Sequence, residues 1–174
     1  MPDNVKDFLF EYAYWVEENK LMAGPHPLYG IAYDDDIVAA ALHDIGVRTI
    51  INLTENEYAL VFPDNFRETP ENKISLLHFP IKDMGVPDRV TMCRILDAID
   101  ESIRNNKPVY VHCMAGIGRT GTVVGCYLIR RGLANDADVF KVISKKRRMT
   151  VHSLYESPET WVQKEFVSSW VEDE

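Results

Sequence analysis

Val109-Tyr-Val-His-Cys-Met-Ala-Gly-Ile-Gly-Arg-Thr-Gly-Thr122 lies at the centre of the chain's pattern. An apolar, β-rich run from Val109 to Val111 leads into His112-Cys113, and Arg119-Thr120-Gly121 completes a Cys-x5-Arg spacing. Beyond it, Val123, Val124, Tyr127 and Leu128 recur at helical spacing. A buried strand therefore feeds a glycine-rich turn that opens a helix. Such a turn directs free backbone N–H groups at one point, with the positive end of the helix dipole behind them. That point suits a phosphate, with a cysteine at its base and an arginine at its far end.

These residues fit one chemistry. A phosphate monoester carries about two negative charges at neutral pH, which repel an anionic nucleophile unless they are offset. Arg119 can fork onto two phosphate oxygens. The backbone amides of Met114, Ala115, Gly116, Ile117, Gly118 and Arg119 can bind the equatorial oxygens. The same positive field favours a nucleophilic thiolate at Cys113. Gly116, Gly118 and Gly121 suit backbone that bends tightly and approaches a ligand. His112 is expected to hold the loop, and Thr120 to hydrogen-bond the sulfur. A lone cysteine after a strand is most often a small buried hydrophobe. Here it comes with a preceding histidine, a following Thr-Gly and three glycines. No Gly-Lys-Ser/Thr follows, so the loop is not a Walker motif. The chemistry calls for no metal and no cofactor.

Around this centre the chain alternates strand and helix. Asp34-Asp35-Asp36 precede Ile37, Val38, Ala41, Leu42 and Ile45, a helix capped by aspartate and ended by Gly46. Val47–Leu53 reads as a buried strand. Thr54–Asn72 is a polar excursion with a short helix expected near Glu57–Phe62. Ile74–Pro80 is a further strand that delivers Asp83 into a Gly/Pro loop. Asp88 then caps a helix facing inward with Met92, Ile95, Leu96, Ile99 and Ile103. Ala134–Arg148 reads as a helix ending in the basic cluster Lys145–Arg148, taken as a solvated last turn favoured by the dipole. Ser157-Pro-Glu-Thr160 looks like a helix start. At the other end, the alternation of Phe8, Phe10, Tyr12 and Tyr14 predicts an edge hairpin from Phe8 to Ala23, closed by a rigid Gly24-Pro-His-Pro27 loop with an exposed His26. The whole indicates an α/β fold, a mostly parallel central sheet flanked by helices, with the cysteine loop at the carboxyl end of a central strand.

Composition bounds the rest. At 174 residues a single domain over 1–174 is expected. A net charge of −8 argues against nucleic acid as a partner. No apolar run approaches a membrane span and no signal peptide is predicted. Three widely spaced cysteines indicate a reducing compartment, so a cytoplasmic monomer is expected.

His112-Cys113-x5-Arg119-Thr120-Gly121 resembles the signature loop of the protein tyrosine phosphatases, and the short chain resembles their small dual-specificity branch. His78-Phe-Pro-Ile-Lys-Asp-Met-Gly-Val-Pro-Asp88 resembles the general-acid segment of the cyclin-dependent-kinase-associated phosphatases. The resemblance runs from about Trp15 to Trp170 and is strongest at the loop. It implies the cysteine-dependent phosphatase fold, with Cys113 as nucleophile, Arg119 as clamp and Asp83 as general acid. Asp88 flanks the same loop but has a capping task. Gln163 is the candidate to position the hydrolytic water. The implied substrate is a phosphorylated protein or peptide, most often at tyrosine, with serine and threonine open. An inositol phosphate or phosphoinositide is the alternative, although Met114 and Ile117 are neutral where such loops tend to carry lysine. A phosphate-binding module without turnover would lack the cysteine, arginine or acid; a kinase-binding scaffold is the remaining class.

Overall fold

The apolar runs form a sheet covered on both faces. A computed structural model describes residues 5–29, 34–55 and 74–171. Its strands are β1 (Tyr14–Glu17), β2 (Leu21–Gly24), β3 (Thr49–Asn52), β4 (Ser75–His78) and β5 (Val109–His112), in the order β1-β2-β5-β3-β4. β2, β5, β3 and β4 run parallel, and β1 pairs antiparallel at the edge. The described helices are α1 (Val5–Tyr12), α2 (Asp35–Asp44), α3 (Arg89–Arg104), α4 (Gly118–Arg130), α5 (Val139–Arg147) and α6 (Trp161–Ser168). This is the expected α/β architecture. Among the described residues no helix is long and apolar enough to cross a membrane.

Strand residues alternate between two cores, as the period of two requires. Leu21, Ala23, Ile51, Val109 and Val111 pack with α3 to α6 through Ile95, Val124, Ile143 and Val167. Met22, Ile50 and Tyr110 face the other way, onto Leu9 of α1 and Val38 and Leu42 of α2. The register decides where function can sit. Gly24 and Asn52 both pair with His112, and His78 pairs with Asn52, so the carboxyl ends of four parallel strands lie level. The loops after them share one edge, the place where ligands of such sheets collect.

Several expectations give way to longer-range packing. The hairpin is real, but it spans β1 and β2 only; Phe8–Tyr12 belongs to α1. Leu9 is buried against α2 while Phe10 is exposed, so burial follows helical spacing and overrides the alternation. At α2 the Asp34 side chain makes no capping bond; its carbonyl instead accepts from the N–H of Ile37 and Val38. Gly46 follows that helix at φ +102. α5 starts at Val139, because Asn135–Asp138 form a turn in which the Asp138 carboxylate accepts from the Asn135 N–H at 2.8 Å. α6 starts after Thr160, later than the Ser157-Pro signal implies. The basic cluster is only partly solvated: Arg147 is buried, donating to the carbonyls of Tyr155 at 2.8 Å and His152 at 3.0 Å. The helix expected near Glu57–Phe62 lies outside the described residues.

Candidate active site

β5 delivers His112 to the sheet edge, and the chain then turns sharply through residues 113–117 into α4. Cys113 sits at the base of this turn, 3% exposed. Gly116 adopts φ +72, and a Cβ there would lie 2.3 Å from the Gly24 carbonyl carbon and 2.4 Å from Pro25 N. Only glycine lets the loop lie this close to the end of β2. The His26 N–H donates to the Met114 carbonyl at 2.9 Å. The Ser157 hydroxyl donates to the Ile117 carbonyl at 2.7 Å. In a trans peptide the N–H points opposite its carbonyl. Tying these two carbonyls outward therefore turns the N–H groups of Ala115 and Gly118 the other way, free for an anion.

His112 holds the loop from beneath. Its Nδ1 lies 3.1 Å from the Cys113 carbonyl, which can only accept, so Nδ1 carries the proton. Burial, the largest cause, pushes the His112 pKa down to about 3 against the bond to the Cys113 carbonyl, which raises it, and the neighbouring His26 adds a smaller lowering. The ring is therefore neutral at physiological pH. The His26 ring meets it edge-on at 5.1 Å, and Tyr110 stacks at 5.9 Å. His26 is buried rather than exposed, because the pairing of Gly24 with His112 brings the chain two residues further on under the phosphate loop. Thr120 is fully buried, and its hydroxyl is directed at the Gly24 carbonyl, 3.5 Å away, rather than at the sulfur. Burial pushes the Cys126 thiol up, so that cysteine is an inert part of the core.

Arg119 joins this loop to the one after β4. Its Nη1 donates to the Ile81 carbonyl at 3.0 Å, and its Nη2 meets Asp83 Oδ1 at 2.9 Å. The guanidinium is buried, whereas the Asp83 side chain is 68% exposed. Asp83 thus stands at the mouth of the site and Arg119 in its wall. The Asp83 N–H donates to Glu55 Oε2 at 3.1 Å, and a turn closes when the Gly85 N–H donates to the Lys82 carbonyl at 3.0 Å. Asp88 does cap α3: Oδ1 accepts from the Thr91 N–H at 2.6 Å, and that bond holds its carboxyl below the usual range.

Gln163 is wholly buried at the start of α6. Its Nε2 donates to the Gly85 carbonyl at 3.0 Å, and its Oε1 accepts from the N–H of Thr160 at 3.0 Å and Glu159 at 3.2 Å. The structure thus brings Cys113, Arg119, Asp83, His112, Thr120 and Gln163 to one edge of the sheet. His26, Glu55, Ser157 and Thr160 also support it and were missed. Only Thr160 had a local signal, a Thr-x-x-Gln capping box. A cysteine facing a ring of amides, an arginine and an exposed carboxylate can bind a phosphate ester, attack it and protonate its leaving group.

A family model described as a polymorphic toxin system DSP-PTPase phosphatase, Tc-R-P, matches residues 30–133. The protein-tyrosine-phosphatase PTP1 of Arabidopsis thaliana is 36% identical over 95 residues, 50% of this chain and 28% of that protein. The chain spans less than half the length of the curated relatives it matches. A structure of PTPMT1 in complex with PI(5)P superposes with a TM-score of 0.67 at 20% identity, covering 90% of this chain and 92% of that one. Kinase associated phosphatase, solved with its catalytic-site cysteine changed to serine, gives 0.63 at 17% identity, covering 90% of each chain. At these identities the two structures share the fold.

Proposed function

Since this chain belongs to the DSP-PTPase phosphatase family, we propose that it hydrolyses phosphate monoesters through a cysteinyl-phosphate intermediate, acting on phosphotyrosine in proteins or peptides. The observation that carries this reading is the contact of Asp83 with Arg119, six residues along the loop from Cys113. It supports a nucleophile, a clamp and an acid acting together at the end of β5.

The substrate phosphate displaces Asp83 from Arg119 and takes the loop amides. The Cys113 thiolate forms a bond to phosphorus as the ester P–O bond breaks, and Asp83, protonated, gives its proton to the leaving oxygen. The resulting Asp83 carboxylate then takes a proton from the water that attacks phosphorus. The S–P bond breaks, restoring the thiolate and releasing phosphate. Little covalent work falls to the protein beyond positioning and charge stabilisation.

Met84 and Met114, the residues after the acid and the nucleophile, are 51% and 43% exposed. Apolar, polarisable side chains beside the reacting groups suit an aromatic leaving group, which favours tyrosine. A phosphoinositide is the second reading: Lys82 is exposed beside Asp83, and the similar PTPMT1 structure holds PI(5)P. Three free cysteines support a cytoplasmic setting, and the partner in this reading is a phosphoprotein substrate. A panel of phosphotyrosine, phosphoserine and phosphothreonine peptides and inositol phosphates, compared by kcat/KM, tests the assignment. The highest value is expected for phosphotyrosine; a higher value for an inositol phosphate overturns the protein substrate.

A further inference from the structure

Both residues of the α6 capping box have a second partner in the loop that carries Asp83. The Thr160 hydroxyl accepts from the Gln163 N–H at 3.2 Å and lies 3.3 Å from the Met84 carbonyl, to which it donates. Gln163 donates from Nε2 to the Gly85 carbonyl at 3.0 Å. The orientation of this amide is fixed by its partners, since two N–H groups face Oε1 and a carbonyl faces Nε2. On its other side the amide abuts the phosphate loop: a Cβ at Gly118 would meet Nε2 and Oε1 at 3.0 Å each. Arg119 holds a third carbonyl of the loop, that of Ile81. Met84, between Asp83 and Gly85, is kept at φ +61, a left-handed conformation unusual for a side-chain-bearing residue.

We propose that Gln163, aided by Thr160, is a positioning residue for the general acid: it latches the acid loop to α6 and the phosphate loop, fixing where Asp83 stands over the leaving oxygen. The proposal rests on the reading of Asp83 as the acid. It differs from a water-positioning role, because both ends of the Gln163 amide are engaged by backbone. A buried amide bonded at both its oxygen and its nitrogen transmits loop position to the carboxylate two residues away. General acid catalysis loses efficiency steeply with misplacement.

Gln163→Glu separates the two tasks. A glutamate serves the capping box equally well, but an ionised carboxylate cannot donate to Gly85. We expect kcat/KM for phenyl phosphate to fall about tenfold more than for p-nitrophenyl phosphate, whose leaving group needs no proton. In an Asp83→Asn background this difference should vanish. Equal losses of kcat/KM on both esters, or no loss on either, would overturn the proposal; so would an unchanged kcat/KM with a lowered kcat and a burst of released phenol, which marks slowed hydrolysis of the intermediate. If Asp83→Asn alone shows no leaving-group dependence, the acid assignment has failed, not merely the latch. Should Gln163→Glu not fold, Thr160→Asp carries the same test. It keeps the N-cap, loses the donor to Met84, and must shift the phenyl-to-nitrophenyl ratio in the same direction or the latch is refuted.

Discussion

The phosphate loop, residues 113–119, and the acid loop, residues 81–88, meet at Arg119 but are held in different ways. The first is short and mostly buried, with two of its carbonyls tied by His26 and Ser157 and its turn made possible by Gly116. The second is largely exposed, and side chains from the turn after β3, from α4 and from α6 with its N-cap hold it through Glu55, Arg119, Gln163 and Thr160. A site for an anion must stay fixed, because its amides stabilise charge only if they need not reorganise. An acid that must admit a substrate and then protonate it can be carried on a loop anchored at a few points.

The two loops should therefore respond differently to change. Within the phosphate loop, Cys113→Ser should remove turnover by on the order of 10⁶-fold, the scale of losing a covalent nucleophile, while phosphate binding persists in a direct binding assay. Arg119→Lys should cost about 10³-fold in kcat/KM, comparable with losing a preorganised charge stabiliser, since a lysine cannot fork onto two oxygens. Both losses should be similar for every leaving group. Within the acid loop, Asp83→Asn should cost about 10²-fold or more on phenyl phosphate and much less on a nitrophenyl ester. A uniform loss across esters would erase the distinction between the loops.

The contrast extends to stability. His112 has its pKa depressed in the folded state, so the unfolded chain binds a proton first as pH falls. Its contribution is fully present above about pH 6.5 and declines down to about pH 3, at up to about 1.4 kcal/mol per pH unit. Denaturant midpoints across that range should fall with pH, and His112→Asn should flatten the slope. Asp88→Asn should do least, with little change in denaturant midpoint or in rate, because asparagine caps as aspartate does.

The same difference explains what could be read in the chain. The phosphate loop is local: strand, cysteine, glycines and arginine are consecutive, so Cys113 and Arg119 announce themselves. The mostly parallel sheet was legible too, from β-branched runs alternating with helical spacing. Half of the acid loop was legible, since Asp83 follows a strand and Asp88 precedes a helix. Its anchors were not, because Thr160 and Gln163 lie more than 70 residues away and meet it only after α6 docks. His26 failed for the same reason: a loop composition between prolines says nothing of the pairing that buries it. The N-terminal aromatics show a local period losing to packing, as α1 buries Leu9 against α2. Thr120 was expected to reach the sulfur; the contact found for its hydroxyl is the Gly24 carbonyl at the end of β2, 3.5 Å away.

Cys113 is expected to become covalently phosphorylated during turnover. Acid quench of the enzyme in mid-turnover with a nitrophenyl ester, followed by peptide mapping, tests it directly. The phosphoryl group is predicted on the peptide containing Cys113, lost in Cys113→Ser along with turnover. A phosphoryl group on another residue, or sustained turnover by Cys113→Ser, would contradict it.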